Sequence, residues 1–316
     1  MGSVAGYDTA FKTLAAANAA VSTWVTAGDM LIWECHSEGS MPLTEASVII
    51  GADGASGPEA LGSTGTLKIR VKAGEWHRGV IGGGFQWQST TLDGGNWLQI
   101  AVAAANCPTI VLERFDIPGA AVTATTYGIR VAEDGTNQVT VRDTIVGGFT
   151  GSTVIAFYTT SGIAQGVLFR DCLAYDLVGH GFWSTAATGP DIFEHCTADG
   201  CSVTGFNESA ATNPIYINCL GTNNGTDFPA GYTSGSYCAS EDGTAPTTLG
   251  PLTGVDPAVE YRDVANNDYR LRNIAECARS GTVGTKKTDI GGFTREYPGD
   301  RGAYGRRKRR WTGRGE

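Results

Sequence analysis

The amino-acid sequence predicts an all-β chain, a single right-handed parallel β-helix with an N-terminal capping helix and an irregular C-terminal cap. Three observations predict it. A short β-rich segment recurs at Gln138–Thr144, Gly166–Cys172, Asp191–Cys196 and Pro214–Cys219, with its last residues 28, 24 and 23 positions apart. A second set, Tyr127–Val131, Val154–Phe157, Gly181–Trp183 and Val203–Phe206, falls once in each interval, so every repeat carries at least two strands. Thr144, Cys172, Cys196 and Cys219 share one repeat position, and stacking would set them in single file inside the rod. A period of this size with Gly-rich connections marks a solenoid. Strands this short cannot bury a face alone, but stacked coils give each a parallel neighbour at about 4.8 Å and a shared interior. The alignment leaves Ile217 opposite either Phe193 or Glu194.

Taken in order, residues 8–23 form an alanine-rich helix that Asp8 can cap, with Phe11, Leu14, Ala15 and Ala19 on its apolar face. Placed before the first coil, it covers an end where stacked strands would otherwise pair with other molecules. A turn at Ala27–Asp29 leads into a strand ending at Cys35. Further strands follow at 46–50, 66–71 and 96–102, and Leu67, Ile69 and Val71 show the period of two of a half-buried strand. The Gly-rich stretches 51–65 and 82–84 read as turns and surface loops. The segment 109–117 opens the regular coils, which fade after Cys219 into a long irregular loop or a pair of poorly marked coils over 221–250. The domain plan is therefore a cap over 1–30, coils over 31–250, a C-terminal cap over 251–304 and a basic tail over 305–316.

At the two ends the sequence resembles the pectate-lyase-like right-handed β-helix superfamily. The opening resemblance lies in a helix followed by Ala27-Gly-Asp-Met-Leu-Ile32. The closing one lies in Asp256-Pro257, Asn267–Leu271, Thr288–Arg295 and Asp300–Tyr304, similar to the ending of many bacterial and phage β-helix repeat proteins. The resemblance implies the fold across most of the chain. It implies two kinds of function as well: polysaccharide lyase or glycosidase chemistry, and structural or adhesive roles as tailspikes, fibres and capsid-surface proteins of tailed phages.

Composition narrows the field. The chain has 316 residues with 45 Gly, 11 Pro, 17% charged and 41% hydrophobic, which describes a folded chain dense in turns. No stretch reaches the roughly 18 apolar residues a membrane helix needs, and residues 1–8 lack the basic and apolar regions of a secretory signal. The eight cysteines include no CxxC pair and no Cys/His cluster at zinc spacing, so no metal site and no cofactor are expected. Those at the shared repeat position read as small apolar thiols, whose parallel side chains make poor disulfide geometry.

Lyase chemistry of the pectate type needs clustered carboxylates for Ca²⁺ and a basic residue on one outer face, and a glycosidase needs two facing carboxylates. The coils offer His180, Asp199 and Asp176 as candidates, and Gly179-His180-Gly181 is similar to a tripeptide of pectin-hydrolysing glycosidases, without the paired aspartates expected one coil away. A structural reading competes throughout. Asp143 and Asp171 fall where a short polar side chain bonds its own backbone, with His195 and Asn218 within one residue of the same place. Arg142, Arg170 and Glu194 form an outward charged column. Trp97 and Trp183 lie inside strand patterns and are expected in the core, whereas Trp76 and His77, in a loop, are the candidate platform for a sugar ring.

The tail is the sharpest chemical feature: Arg306, Arg307, Lys308, Arg309, Arg310 and Trp311, with Arg314 and Glu316 beyond, carry +5 and leave −14 on the rest of a chain of net −9. An acidic body argues against nucleic-acid binding, and a basic end on an acidic rod argues for docking onto another virion protein or another copy of the chain. The expectation is a virion-surface protein of a tailed phage, decorating capsid or tail, able to bind host polysaccharide and to form a homotrimer. The alternative is a polysaccharide lyase or glycoside hydrolase.

Overall fold

The computed structural model describes residues 108–132, 138–160, 166–185, 189–209, 213–230, 234–266 and 268–272 in the regular and C-terminal parts. In the N-terminal third it describes 14–20, 27–35, 43–45, 48–51, 63–72, 85–89 and 95–101, and elsewhere 61, 75, 77, 81–82, 277, 289 and 301–303. These residues build a parallel β-helix, as the sequence predicts.

Each regular coil has three faces. Face one is an eight-stranded sheet of Met30–Cys35, Thr66–Val71, Thr109–Glu113, Val139–Arg142, Val167–Arg170, Ile192–Glu194, Ile215–Ile217 and Gly235–Ser236. Face two runs through Asp116–Pro118, residues 145–149 and 173–177, then Thr197–Cys201, Leu220–Thr222, Ala239–Ser240 and Leu252–Thr253. Face three holds Val48–Gly51, Gly95–Ala101, Thr126–Ala132, residues 154–160 and 179–185, and Thr204–Glu208. Faces two and three join into one twelve-stranded sheet because Ile145–Thr160 and Leu173–Thr185 run unbroken around the edge between them. Face one aligns Ile217 with Glu194 and Tyr216 with Phe193, which settles the open register. Bridging of Ser236 to Leu249 and pairing of Ala239–Ser240 with Leu252–Thr253 continue the coil stacking through the described parts of 221–250.

Faces one and two meet at a corner of fixed backbone geometry. Arg114, Asp143, Asp171, His195, Asn218 and Tyr237 all adopt left-handed conformations, with φ between 53° and 72°. Each non-glycine residue there is strained, and the strain is offset by a repeated hydrogen bond. The Asp143 amide donates to the Arg170 carbonyl at 3.1 Å, that of Asp171 to Glu194 at 3.0 Å, and that of His195 to Ile217 at 2.8 Å. His195 and Asn218 thus hold the same corner position as the two aspartates.

The next residue in every coil turns inward, and Phe115, Thr144, Cys172, Cys196, Cys219 and Cys238 are all buried. Each thiol points a weak donor at main chain: Cys172 Sγ lies 3.5 Å from the Val141 carbonyl oxygen and Cys219 Sγ 3.2 Å from that of Phe193. The described cysteines are free thiols, and burial pushes those of Cys196 and Cys238 well above their ordinary pKa.

Stacked rings fill the interior beside this file. Phe157, Phe182, Phe206 and Phe228 form one pile, with centroid spacings of 4.7, 5.0 and 4.7 Å. Phe169, Phe193 and Tyr216 form a second at 5.2 Å steps, meeting the first edge-on. At the N-terminal end the helix Leu14–Ala20 packs against Val48–Gly51 and sends Leu14 and Ala17 into the same core. Asp8, Phe11 and the last residues of the expected helix lie outside the described residues. No described helix is long and apolar enough to cross a membrane.

The outer side of face two is covered by the chain's own C-terminal part. Ile145, Leu173, Tyr175 and Leu220 point outward and pack with Val255, Tyr261, Tyr269, Leu271, Cys277 and Ala303 in a second apolar cluster. The covering begins with Pro257–Glu260, capped by Asp256, whose Oδ1 accepts from the Ala258 amide at 2.9 Å. It continues through the antiparallel pair Tyr261–Asp263 and Asp268–Leu271. Arg301–Ala303 bolts it down: the buried Arg301 guanidinium donates to the Cys238 and Gly250 carbonyls at 2.5 and 2.7 Å. Beside it the Gly302 amide donates to the Asn218 carbonyl at 2.6 Å, and the Ala303 amide to Thr197 Oγ1 at 2.8 Å.

Candidate functional site

With face two covered and face one carrying ion pairs, the outer side of face three offers the largest concentration of partly exposed aromatic rings among the described residues. Along its strands Phe157 and Phe182 point inward while the next residues, Tyr158 and Trp183, point out. Parallel register then sets Gln99, Arg130, Tyr158, Trp183 and Asn207 in one outward column and Asn96, Tyr127, Ile155, His180 and Thr204 in the next.

The columns knit together. Tyr127 and Tyr158 stack at 4.7 Å with ring planes 22° apart, and Tyr158 meets Trp183 edge-on at 5.9 Å. The Arg130 guanidinium lies over both tyrosines, 5.6 and 5.9 Å from their centroids. Its Nη1 donates to Asn96 Oδ1 at 3.5 Å, and its Nε has no acceptor among the described residues. Trp183 Nε1 donates to Ser209 Oγ at 3.3 Å, which fixes the indole plane. The result is a strip of part-exposed rings around one cation, bordered by amides and hydroxyls. Such a strip stacks against apolar ring faces and hydrogen-bonds at their edges.

His180 belongs to this strip, 4.6 Å from the Trp183 ring, with Nδ1 2.6 Å from Thr204 Oγ1. Burial lowers its pKa, so the imidazole is neutral near pH 7. The neighbouring glycines have packing reasons. Gly179 sits at φ +149°, where a Cβ would lie 2.2 Å from the Val154 carbonyl oxygen, and a Cβ on Gly181 would meet the Gly205 carbonyl oxygen at 2.6 Å. The tripeptide similar to a glycosidase motif is thus accounted for by coil geometry.

The other two catalytic candidates do not join His180. Asp199 is in register with Tyr175 on face two and is buried beneath the C-terminal covering. Its Oδ1 accepts from Thr222 Oγ1 at 2.6 Å and Asn223 Nδ2 at 2.7 Å, and burial raises its pKa. Asp176 is exposed at the edge between faces two and three, in a left-handed conformation with φ 45°, and desolvation raises its pKa too. No group of three or more His, Cys, Asp or Glu among the described residues could hold a metal ion.

Two aromatic expectations are corrected. His77 is no surface platform: it is 1% exposed, folded onto the corner with Nε2 2.7 Å from the Asp143 carbonyl oxygen. Burial depresses its pKa to about 4, leaving it neutral. Trp183, expected in the core, is on the outer face, while Trp97 and Trp87 are interior. Trp76 and the tail residues Arg306, Arg307, Lys308, Arg309, Arg310 and Trp311 lie outside the described residues. The sequence reading missed Tyr158 and Arg130, although the inward–outward pairs Phe157-Tyr158 and Phe182-Trp183, one coil apart, carry the signal.

No protein-family model matches the chain, and no curated protein matches it. Among solved structures it is similar to the crystal structure of the pectate lyase Pel9A, at 10% sequence identity and a TM-score of 0.31, over 91% of this chain and 90% of that one.

Proposed function

We propose that this chain is a structural, adhesive β-helix protein of a tailed-phage virion, projecting from capsid or tail and holding host-surface polysaccharide on face three. The observation that carries the glycan part is the strip of Tyr127, Tyr158 and Trp183 around Arg130. Sugars present apolar ring faces and hydroxyl edges, and a linear polymer laid along the coils would meet one ring per step of about 4.8 Å. The docking part rests on charge, since a +5 tail on a −14 body favours an acidic partner or a second copy.

The test is binding and product analysis on one set of bacterial surface and pectic polysaccharides. The chain is expected to be retained, with Trp183→Ala and Tyr158→Ala each weakening retention about tenfold. Unchanged retention in both variants removes face three from the proposal. New reducing ends or unsaturated uronates would make the chain a hydrolase or a lyase instead.

A further inference from the structure

The outer side of face one carries a column of charges in register, Glu34, Arg70, Glu113, Arg142, Arg170 and Glu194. Signs alternate down it except at one step. Arg142 and Arg170 are direct register partners on adjacent parallel strands, about 4.8 Å apart. Like charges in that relation destabilise a sheet.

Each arginine is tied to a carboxylate on its far side. Arg142 Nε donates to Glu113 Oε2 at 2.7 Å, with Nη2 paired to the same oxygen, and Arg170 Nε donates to Glu194 Oε2 at 2.6 Å. Nη1 of Arg142 and both Nη groups of Arg170 then have no acceptor among the described residues. Glu113 is also shared with Lys68 Nζ at 2.9 Å, so among these ion pairs three cations share two carboxylates. The arginine side chains are 29% and 18% exposed, open to a ligand yet partly withdrawn from water. Val111, Leu168 and Ile192 border them on the same face.

We propose that Arg142 and Arg170 form an oxyanion clamp, a site for a carboxylate, sulfate or phosphate group held between the two guanidinium forks. A planar or tetrahedral oxyanion has several acceptor oxygens to bridge both forks and relieves the repulsion between the two adjacent cations. A single-atom anion cannot match the paired donors, and a cation is repelled. The site lies on a different face from the aromatic strip and does not depend on it.

The probe is inorganic phosphate, then sulfate, titrated calorimetrically at low ionic strength into the intact chain, with chloride as competitor. Saturable binding is expected that chloride at equal ionic strength does not displace, weakened about tenfold in Arg142→Lys and in Arg170→Lys. The lysine variants keep the charge that Glu113 and Glu194 need, and circular dichroism on the same samples confirms that the coils are intact. Absence of saturable binding by both ions, or equal affinity in the folded variants, overturns the clamp. A sulfated tetrasaccharide binding more tightly than sulfate would identify a polymer-borne group as the natural ligand, and equal binding would identify the free ion.

Discussion

Phe182→Ala is expected to lower the free energy of unfolding by about 3–5 kcal/mol, the range for removing a fully buried ring. Phe182 is stacked between Phe157 at 4.7 Å and Phe206 at 5.0 Å, with Phe169 and Phe193 edge-on at 6.2 and 5.6 Å. The hole cannot close cheaply, because the neighbouring rings are held by strands whose register is set above and below. In a solenoid each coil is stabilised chiefly by its neighbours, so a cavity in a central coil also weakens coupling between the two halves. Urea titration followed by circular dichroism should show a lower midpoint and a broadened or split transition. A loss smaller than about 1 kcal/mol would mean that the pile contributes little beyond filling space.

The second large effect is a gain. Asp116 points outward on face two beside Gly82 and Gln86 and is completely buried. Its Oδ2 accepts from the Gly82 amide at 2.8 Å, and the Gln86 side chain also donates to the carboxylate, but burial outweighs both. Glu113 and Arg114 precede it, and the Tyr175 hydroxyl is its acidic neighbour across the face. Burial raises the Asp116 carboxyl from 3.8 to about 7. The folded state therefore holds this proton more tightly than the unfolded chain does. Stability from the group is fully present below about pH 4 and is lost as pH rises to about 7, by about 4 kcal/mol in all. Asp116→Asn cannot ionise and can still accept from Gly82. It should match the parent near pH 4 and exceed it by about that amount at pH 8. Urea unfolding of both proteins at the two pH values measures this directly, and an equal difference at both would show that the carboxylate is solvated in the folded state.

The sequence revealed faces one and three because their strands carry recurring ends and alternating patterns, from Val139–Arg142 to Ile215–Ile217. Face two escaped it for two physical reasons. The corner is too tight to leave a loop, so Ile145 and Leu173 follow the turn at once. Those strands also show no polar outer side, because Leu173, Tyr175 and Leu220 are covered by the returning C-terminal part. A strand buried on both sides loses the period of two. The same covering decides the fate of Asp199, whose environment is made by residues some sixty to seventy positions later, Tyr261 and Tyr269. The position of Trp183 is not legible for a local reason: lying inside a strand does not say which side a residue faces, and the alternation along face three puts Phe182 in and Trp183 out.

The left-handed corner sets a rule for rod length. Arginine, aspartate, histidine, asparagine and tyrosine all occupy it with nearly the same backbone angles, so geometry is specified there while side-chain identity is not. A whole winding is then an interchangeable module. Duplicating the 24 residues from Cys172 to His195 would lengthen the particle by one step of about 4.8 Å without reshaping what lies on either side. Reach, in such an architecture, can change by gene duplication alone.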